Sequence, residues 1–229
     1  MAAGSQGTLP EQTGKPLVQR DGTAGVENAG GNPDAVTVYL PSVGAEAVRQ
    51  AEIICNLLQF RVDPRSIAEG ELAFEQIEHE FAVVLTQDCD LVQDFELRRQ
   101  ASEAGRPTGE IDSKLLPNVL LCELVTDASL FAALTPGSDI KKRVRQNKDE
   151  RYQYLCAVPT ACDAAGTGLP ALGVDFKRHF TIPTEELYAQ VSQRAGRRCR
   201  LKSPYLEHLA IRFSSFLSRV ALPVNHHDQ

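Results

Sequence analysis

Short apolar runs follow one another closely in the middle of the chain, and their spacing limits the folds open to it. The clearest runs cover residues 81–85 (FAVVL), 118–125 (NVLLCELV) and 151–159 (RYQYLCAVP). Runs of this length, bounded by turn residues, are typical of β-strands. They are connected too closely for the helical crossovers that parallel strands require, so we expect antiparallel neighbours. The pattern predicts a small, mostly antiparallel barrel or a strongly curved sheet.

Helical patterns flank this strand region. Residues 45–60 are expected to form a helix, because apolar side chains recur there at helical spacing on one face. Two further helices are predicted in the C-terminal third, at residues 184–195 and 203–222. The last one starts with Ser-Pro and has an apolar stripe along one face, so we expect that face to pack against another surface. The predicted fold class is therefore α+β.

Composition divides the chain into five segments. Residues 1–35 contain almost no large apolar side chains and are predicted to be disordered. A strand and a helix at 36–66 lead into a β-barrel core with long loops at 67–183. The C-terminal helices occupy 184–222, and a polar tail follows at 223–229.

Several classes of protein are disfavoured by the sequence. Its 229 residues contain no run of 18 apolar residues, and the N-terminus lacks the apolar region of a secretory signal. We therefore expect a cytoplasmic protein that does not span a membrane and keeps its six cysteines as free thiols. There is no Cys-x-x-Cys pair, P-loop or dinucleotide-binding fingerprint, so neither a metal nor a cofactor is predicted.

Positive charge is concentrated locally in a chain whose net charge is −6. The segment 141–154, KKRVRQNKDERYQY, is read as a basic loop leading into a strand. Its cations can neutralise phosphates, its Asn amide is both donor and acceptor, and two tyrosines on one strand face can stack on unpaired bases. A solvated loop with both tyrosines packed in the core is the alternative. The predicted nucleic-acid-binding residues are Lys141, Lys142, Arg143, Arg145, Asn147, Lys148, Arg151, Tyr152 and Tyr154.

Two acids and a thiol follow the strand at 81–85, in the stretch TQDCDLV. If a helix begins at Leu91, Asp90 occupies its N-cap and Asp88 lies near its positive end, which explains both acids structurally. Alternatively, the helix N-terminus favours the thiolate of Cys89 and makes it a nucleophile. A metal site with a distant His is a third interpretation. Cys89 and Asp90 are therefore candidate catalytic residues.

Taken in order, four stretches resemble the PemK/MazF-like toxin endoribonucleases. Residues 70–72 (GEL) resemble the opening strand of that family, and residues 83–86 with Asp88 resemble its second strand. Residues 120–126 resemble the third strand, and residues 174–181 resemble a later strand that leads into a helix.

This resemblance covers about residues 69 to 190 and implies an SH3-like barrel. It also implies metal-independent RNA cleavage in a bacterial toxin–antitoxin or phage-defence setting, with Thr126 in the catalytic set. The Arg-Pro pair of the family is replaced here by Glu80-Phe81. Because such a nuclease needs a cation near the reacting phosphate, Arg143 or Arg145 is the candidate substitute.

Two functions follow from the sequence. The first is a nucleic-acid-directed protein with RNA or another single-stranded nucleic acid as partner; if it is an enzyme, it is a metal-independent endoribonuclease. The second is a non-catalytic protein-interaction subunit with a degenerate toxin-like barrel. Its partner would bind through the C-terminal amphipathic helix.

Overall fold

One antiparallel sheet organises the computed structural model, which describes residues 37–70, 72–105, 112–134 and 138–219. Within these residues the sheet has seven strands in the order β1-β7-β2-β3-β4-β6-β5, and every neighbouring pair is antiparallel. The strands are β1 (Tyr39–Pro41), β2 (Glu52–Val62), β3 (Phe74–Val84), β4 (Asn118–Thr126), β5 (Tyr152–Leu155), β6 (Leu172–Pro183) and β7 (Gly196–Leu201).

Six helices accompany the sheet in the described part of the chain. They are α1 (Pro64–Glu69), α2 (Asp88–Glu103), α3 (Asp127–Ala133), α4 (Ser138–Arg145), α5 (Thr184–Gln193) and α6 (Tyr205–Leu217). None of the helices in the described ranges is both long enough and apolar enough to cross a membrane.

The predicted α+β class and the antiparallel sheet are confirmed. Within the described ranges the ladder of hydrogen bonds is not closed, however, because β1 and β5 are edge strands with one neighbour each. The predicted disordered segment 1–35 and the polar tail 223–229 lie outside the described residues.

Both faces of the sheet are covered. On one face, α2 and α5 bury a cluster that includes Leu91, Leu187 and Val84. On the other face, a larger cluster contains Phe176 of β6 and Phe213 of α6, whose ring centroids lie 5.6 Å apart. Strands that are buried on both faces have continuous apolar sequences, because each face needs apolar side chains.

This double burial explains why the predicted helix at 45–60 is wrong. The stretch forms β2 from Glu52, and only irregular structure and a turn precede it. Ile53 faces the larger cluster and Ile54 faces the cluster under α2 and α5. A run that is apolar on both faces matches a buried helix as well as a buried strand, so periodicity does not separate the two.

Two other boundaries differ from the predictions. The basic loop is helical as far as Arg145, because Ser138–Arg145 forms α4. The C-terminal segment 184–222 contains α5 and α6 as predicted, but strand β7 (Gly196–Leu201) lies between them. In α6, Leu209 and Phe213 are buried against the larger cluster, so the predicted amphipathic face packs on the chain's own sheet.

A buried ion pair connects β7 with the segment between β5 and β6. The Arg198 guanidinium donates to both carboxylate oxygens of Asp163 at 2.7 and 2.6 Å, and the backbone N–H groups of Thr167 and Gly168 donate to the same carboxylate at 3.0 and 2.8 Å. The backbone N–H of Ala164 donates to the Arg198 carbonyl at 2.8 Å. The guanidinium and these N–H groups hold the pKa of the Asp163 carboxyl well below its usual range.

We expect Asp163→Asn to lower the free energy of unfolding by about 3 kcal/mol at pH 7, because it leaves the Arg198 charge largely desolvated without its counter-ion. Since the folded-state pKa of Asp163 is lowered, the wild type loses this contribution as the pH falls below about 4, and the difference between the two proteins shrinks. Urea unfolding of both proteins at several pH values measures this difference in the free energy of unfolding.

The matched control is Glu75→Gln, which breaks the exposed pair with Arg61. That change should alter the free energy of unfolding by less than about 1 kcal/mol. Equal losses in the two variants would contradict a dominant role for the buried pair.

Candidate functional site

A cleft of about 650 Å³ lies between the two edge strands of the sheet. We call it the seam cleft, because β1 and β5 approach each other there without pairing. Its walls come from β1, from β5 and the residue after it, from the turn that follows α4, and from the first turn of α6. Segments that are far apart in the sequence therefore meet at one surface.

A buried tyrosine bridges the base of the seam. The Tyr39 hydroxyl of β1 donates to the Cys156 carbonyl, directly after β5, at 2.6 Å. Burial raises the pKa of Tyr39, so its hydroxyl keeps the proton that it donates. Side-chain hydrogen bonds of Tyr39 thus stand here in place of a backbone ladder.

The free edge of β5 is occupied by an asparagine amide. The Tyr154 N–H donates to Oδ1 of Asn147 at 2.6 Å, and Nδ2 of Asn147 donates to the Tyr154 carbonyl at 3.1 Å. Asn147 has a φ of 53°, a left-handed conformation that Asn tolerates. Its amide is therefore engaged with the backbone of β5, and its contact with nucleic acid stays a prediction.

Arg212 of α6 secures the same edge. Its guanidinium donates to the backbone carbonyls of Asn147, Asp149 and Tyr152, the last at 2.8 Å. With these carbonyls and the Tyr154 backbone engaged, this edge is protected against the addition of another strand. Side chains rather than the β5 backbone are therefore available to a ligand on this side of the seam cleft.

Arg145 stands at the rim of the seam cleft in a defined orientation. Its guanidinium carbon lies 5.0 Å from the centroid of the Phe131 ring, a cation–π distance. The Phe131 ring in turn stacks near that of Tyr154, with centroids 6.5 Å apart. Tyr154 is half-buried against the small cluster of Leu130, Phe131 and Val144, and it also lines the cleft.

The other predicted nucleic-acid-binding residues lie outside the seam cleft. Arg151 donates to the Asp175 carboxylate at 2.7 and 2.5 Å and stacks over Tyr152 at 4.8 Å. The carboxylate holds the pKa of Arg151 above its usual value, so this pair is intramolecular and charged. Arg143 lies 3.6 Å from Asp149. Lys141, Lys142 and Lys148 are exposed, and they do not line the cleft.

The Thr126 side chain caps helix α3. Its side-chain oxygen accepts a hydrogen bond from the Ser129 N–H at 3.3 Å and donates to the Ser129 hydroxyl at 2.9 Å, which caps α3. Thr126 does not line the seam cleft that Arg145 lines. The structure therefore does not bring these two candidate catalytic residues together there.

The corner at residues 86–92 is a helix start, although not the predicted one. Helix α2 begins at Asp88, so Asp90 lies inside the first turn and the predicted N-cap role is wrong. Asp88 binds the Arg49 guanidinium and accepts from the Gln50 N–H at 3.1 Å. Arg49 lowers the pKa of Asp88, and the pair ties the segment before β2 to the start of α2.

Cys89 is exposed, and its thiol donates to an oxygen of Asp90 at 3.5 Å. His79 stacks on Phe180 at 3.9 Å, and His179 packs edge-on against Phe213, so neither histidine serves Cys89. Among the described residues, no group of three or more His, Cys, Asp and Glu side chains could hold a metal ion.

Most residues of the seam cleft escaped the sequence analysis. Among them are Gln153 on β5, Tyr205 on α6 and His208 three residues further along that helix. Burial and the nearby Arg212 charge lower the pKa of His208, which is therefore neutral at pH 7. The one available signal was Gln153, a polar residue at the inward position between two tyrosines of an alternating strand.

Comparison with protein-family models, curated proteins and solved structures finds no match to this chain. The resemblance to the PemK/MazF-like toxins therefore stays a prediction.

Alkylation should distinguish the six cysteines by exposure. Cys89 and Cys156 are exposed, and the other four are buried. Burial also raises the pKa of Cys199 to about 12, which suppresses its thiolate. We expect iodoacetamide at pH 8 to modify only Cys89 and Cys156 in the folded protein and all six cysteines in urea, as measured by peptide mass spectrometry.

A ligand in the seam cleft should slow the labelling of Cys156 and leave that of Cys89 unchanged, because only Cys156 lines the cleft. Labelling of the buried Cys122 as fast as Cys89 would contradict the burial pattern.

Proposed function

We propose that this chain is a nucleic-acid-directed protein that binds a short single-stranded segment, RNA in the first place, in the seam cleft. The observation that carries the proposal is the placement of Arg145 and Tyr154, two residues of the predicted basic segment, in one concave surface with a second ring, Tyr205. A cation beside aromatic rings suits single strands, whose phosphates are charged and whose bases are free to stack.

The local charge supports this proposal. Four of the eight residues of α4 are basic, namely Lys141, Lys142, Arg143 and Arg145. An acidic chain with a basic helix attracts polyanions through the local potential rather than the net charge. Helix α4 leads directly into the turn that forms one wall of the seam cleft.

We also propose that the curved sheet is a divergent SH3-like barrel of a bacterial toxin- or defence-related system. Two contacts support this proposal. The Tyr39–Cys156 bond joins β1 to the residue after β5, and the Arg198–Asp163 pair joins β7, the neighbour of β1, to the segment after β5. The activity that we propose is binding rather than cleavage, since the Thr126 hydroxyl is engaged in capping α3.

Replacing Arg145 with Ala should weaken the binding of a labelled single-stranded RNA dodecamer by about 5-fold or more at moderate salt, because one phosphate contact is lost. The slope of log K against log salt should fall by about 0.7, the value for one contact to a single strand. Fluorescence anisotropy titrations at several salt concentrations measure both quantities.

The matched control is Arg143→Ala, which removes the same charge from the same helix outside the cleft. It should change the affinity by less than about 2-fold. Equal weakening by the two variants would point to diffuse attraction instead of a site, and a wild-type protein that binds no RNA would refute the proposal. Denaturing gels of the same mixtures, with and without a chelator, show whether bound RNA is cut.

A protein-interaction subunit is the second candidate, and one surface favours it. The ladder of β3 with β4 begins at Phe81, and β2 pairs with β7 only as far as Cys55. Beyond these points, β2 and β3 continue as a two-stranded hairpin. We call its outer part, residues 58–62 and 72–78, the hairpin tip.

The hairpin tip exposes large apolar side chains. Phe60 is 51% exposed, Leu72 is 71% exposed and Phe74 is 68% exposed. The register pairs Phe60 with Gln76 and Phe74 with Val62, so both phenylalanines lie on one face of the hairpin. Contiguous exposed apolar side chains mark interaction surfaces. The apolar face of α6, the predicted partner surface, largely packs on the chain's own core.

If the second function holds, the double variant Phe60→Ser and Phe74→Ser should abolish self-association or partner capture without lowering the melting temperature, because both rings are exposed in the single chain. Light scattering after size exclusion measures the mass. The control is Ile211→Ser on α6, a similarly exposed residue. Loss of association in the control alone would assign the partner surface to α6.

A further inference from the structure

One buried amide in the seam cleft has an unmet hydrogen-bonding capacity. Gln153 is 4% exposed, and its Oε1 accepts no hydrogen bond from any described residue. A buried acceptor without a donor is destabilising, so native proteins keep few of them. An explanation for this residue is therefore needed.

A second buried glutamine shows what a purely structural amide looks like in this chain. Gln190 on α5 accepts from the Leu58 N–H at 2.8 Å, and its Nε2 donates to the Leu58 carbonyl at 2.8 Å and to Glu186 at 3.0 Å. Both ends of that amide are satisfied within the chain. Gln153 differs in lining a cleft, where a ligand can supply the missing partner.

The chemistry of the amide indicates what that partner is. A primary amide presents an acceptor and a donor side by side, and a half-turn exchanges them without changing its shape. Adenine offers an amine beside a ring nitrogen on two of its edges, and Gln is a side chain that pairs with such an edge through two hydrogen bonds. An adenine amine would satisfy Oε1 of Gln153.

The other walls of the seam cleft suit the rest of a nucleotide. Tyr205 on α6 supplies an aromatic ring, and base–aromatic stacking is favourable for single strands. The Tyr154 ring lies on the opposite face of β5 from Gln153, beside Phe131. Arg145 supplies a cation at the rim for a phosphate. The volume of about 650 Å³ lies within the range of small-molecule sites.

We infer that the seam cleft binds one adenine nucleotide, with Gln153 pairing to the base edge, Tyr205 contacting the base and Arg145 contacting the phosphate. If this nucleotide is part of an RNA strand, the inference rests on the proposed function. A free adenine nucleotide presents the same chemistry, and the experiment distinguishes the free nucleotide from the RNA strand.

The experiment compares two labelled RNA hexamers, one of uridines only and one with a single central adenosine. We expect the wild type to bind the adenosine hexamer at least about 5-fold more tightly, the lower limit for a bidentate base contact. Gln153→Met, which keeps the length and removes the amide, should bind both hexamers equally. The control Gln100→Met, at an exposed position on α2, should behave as the wild type.

Two checks keep the test independent of folding. Gln153→Met should melt at or above the wild-type temperature, because it removes an unsatisfied buried acceptor. Arg145→Ala should weaken both hexamers by the same factor and leave the adenosine preference intact. A preference that survives in Gln153→Met would overturn the role of Gln153.

The remaining outcomes separate this inference from the proposed function. Equal binding of the two hexamers by the wild type would overturn the inference and leave RNA binding in place. Calorimetry with adenosine and uridine monophosphates forms the second arm. Binding of adenosine monophosphate alone, dependent on Gln153 and without binding of either hexamer, would refute the proposed function and retain the adenine site. No binding in either arm would reject both.

Discussion

The paired side chains of Arg198 and Asp163 hold the curved sheet around its larger core. Arg198 lies on β7, beside the edge strand β1, whereas Asp163 belongs to the connection that leaves the other edge strand, β5. The carboxylate is fully desolvated and bound by both the guanidinium and backbone N–H groups, a geometry in which opposite charges offset their own desolvation. This ion pair, the backbone bond from Ala164 to Arg198 and the Tyr39–Cys156 bond join the two sides without a ladder between β1 and β5, and the cleft lies at this seam.

The same arrangement decides how that cleft can recognise a ligand. An open sheet edge ordinarily invites another strand, but Asn147 and Arg212 occupy the backbone groups of β5. On that side of the cleft, recognition falls to side chains, among them the Gln153 amide, the Tyr205 ring and the Arg145 guanidinium. The Arg145 guanidinium lies over the Phe131 ring at the rim, so α4 presents a cation to the cleft. The fold thus places polar and charged side chains from distant segments in one concave surface.

Much of the secondary structure was readable from local pattern. The strands around 118–125 and 151–159 and the helix that became α6 were predicted because their apolar periodicity or turn signals were clear. The failures share a physical cause. The apolar pattern at residues 45–60 matches a helix because β2 is apolar on both faces. Asp90 matches an N-cap only for a helix that begins at Leu91, whereas α2 begins at Asp88, which binds Arg49 from another segment. Local propensity does not contain such contacts.

The sequence by itself determined the antiparallel α+β character, the concentration of positive charge at residues 141–151 and the presence of tyrosines beside it, since these depend on spacing and composition. Only the tertiary structure decided which of those groups are free. Arg151 is bound by Asp175 and Asn147 by the backbone of β5, whereas Arg145 and Tyr154 reach the seam cleft. It also decided that Gln153 Oε1 finds no hydrogen-bond donor among the described residues, while Gln190 has its partners. The reason is physical: hydrogen-bond satisfaction depends on which distant segments meet when the sheet curves, and that geometry is a property of the whole packed chain.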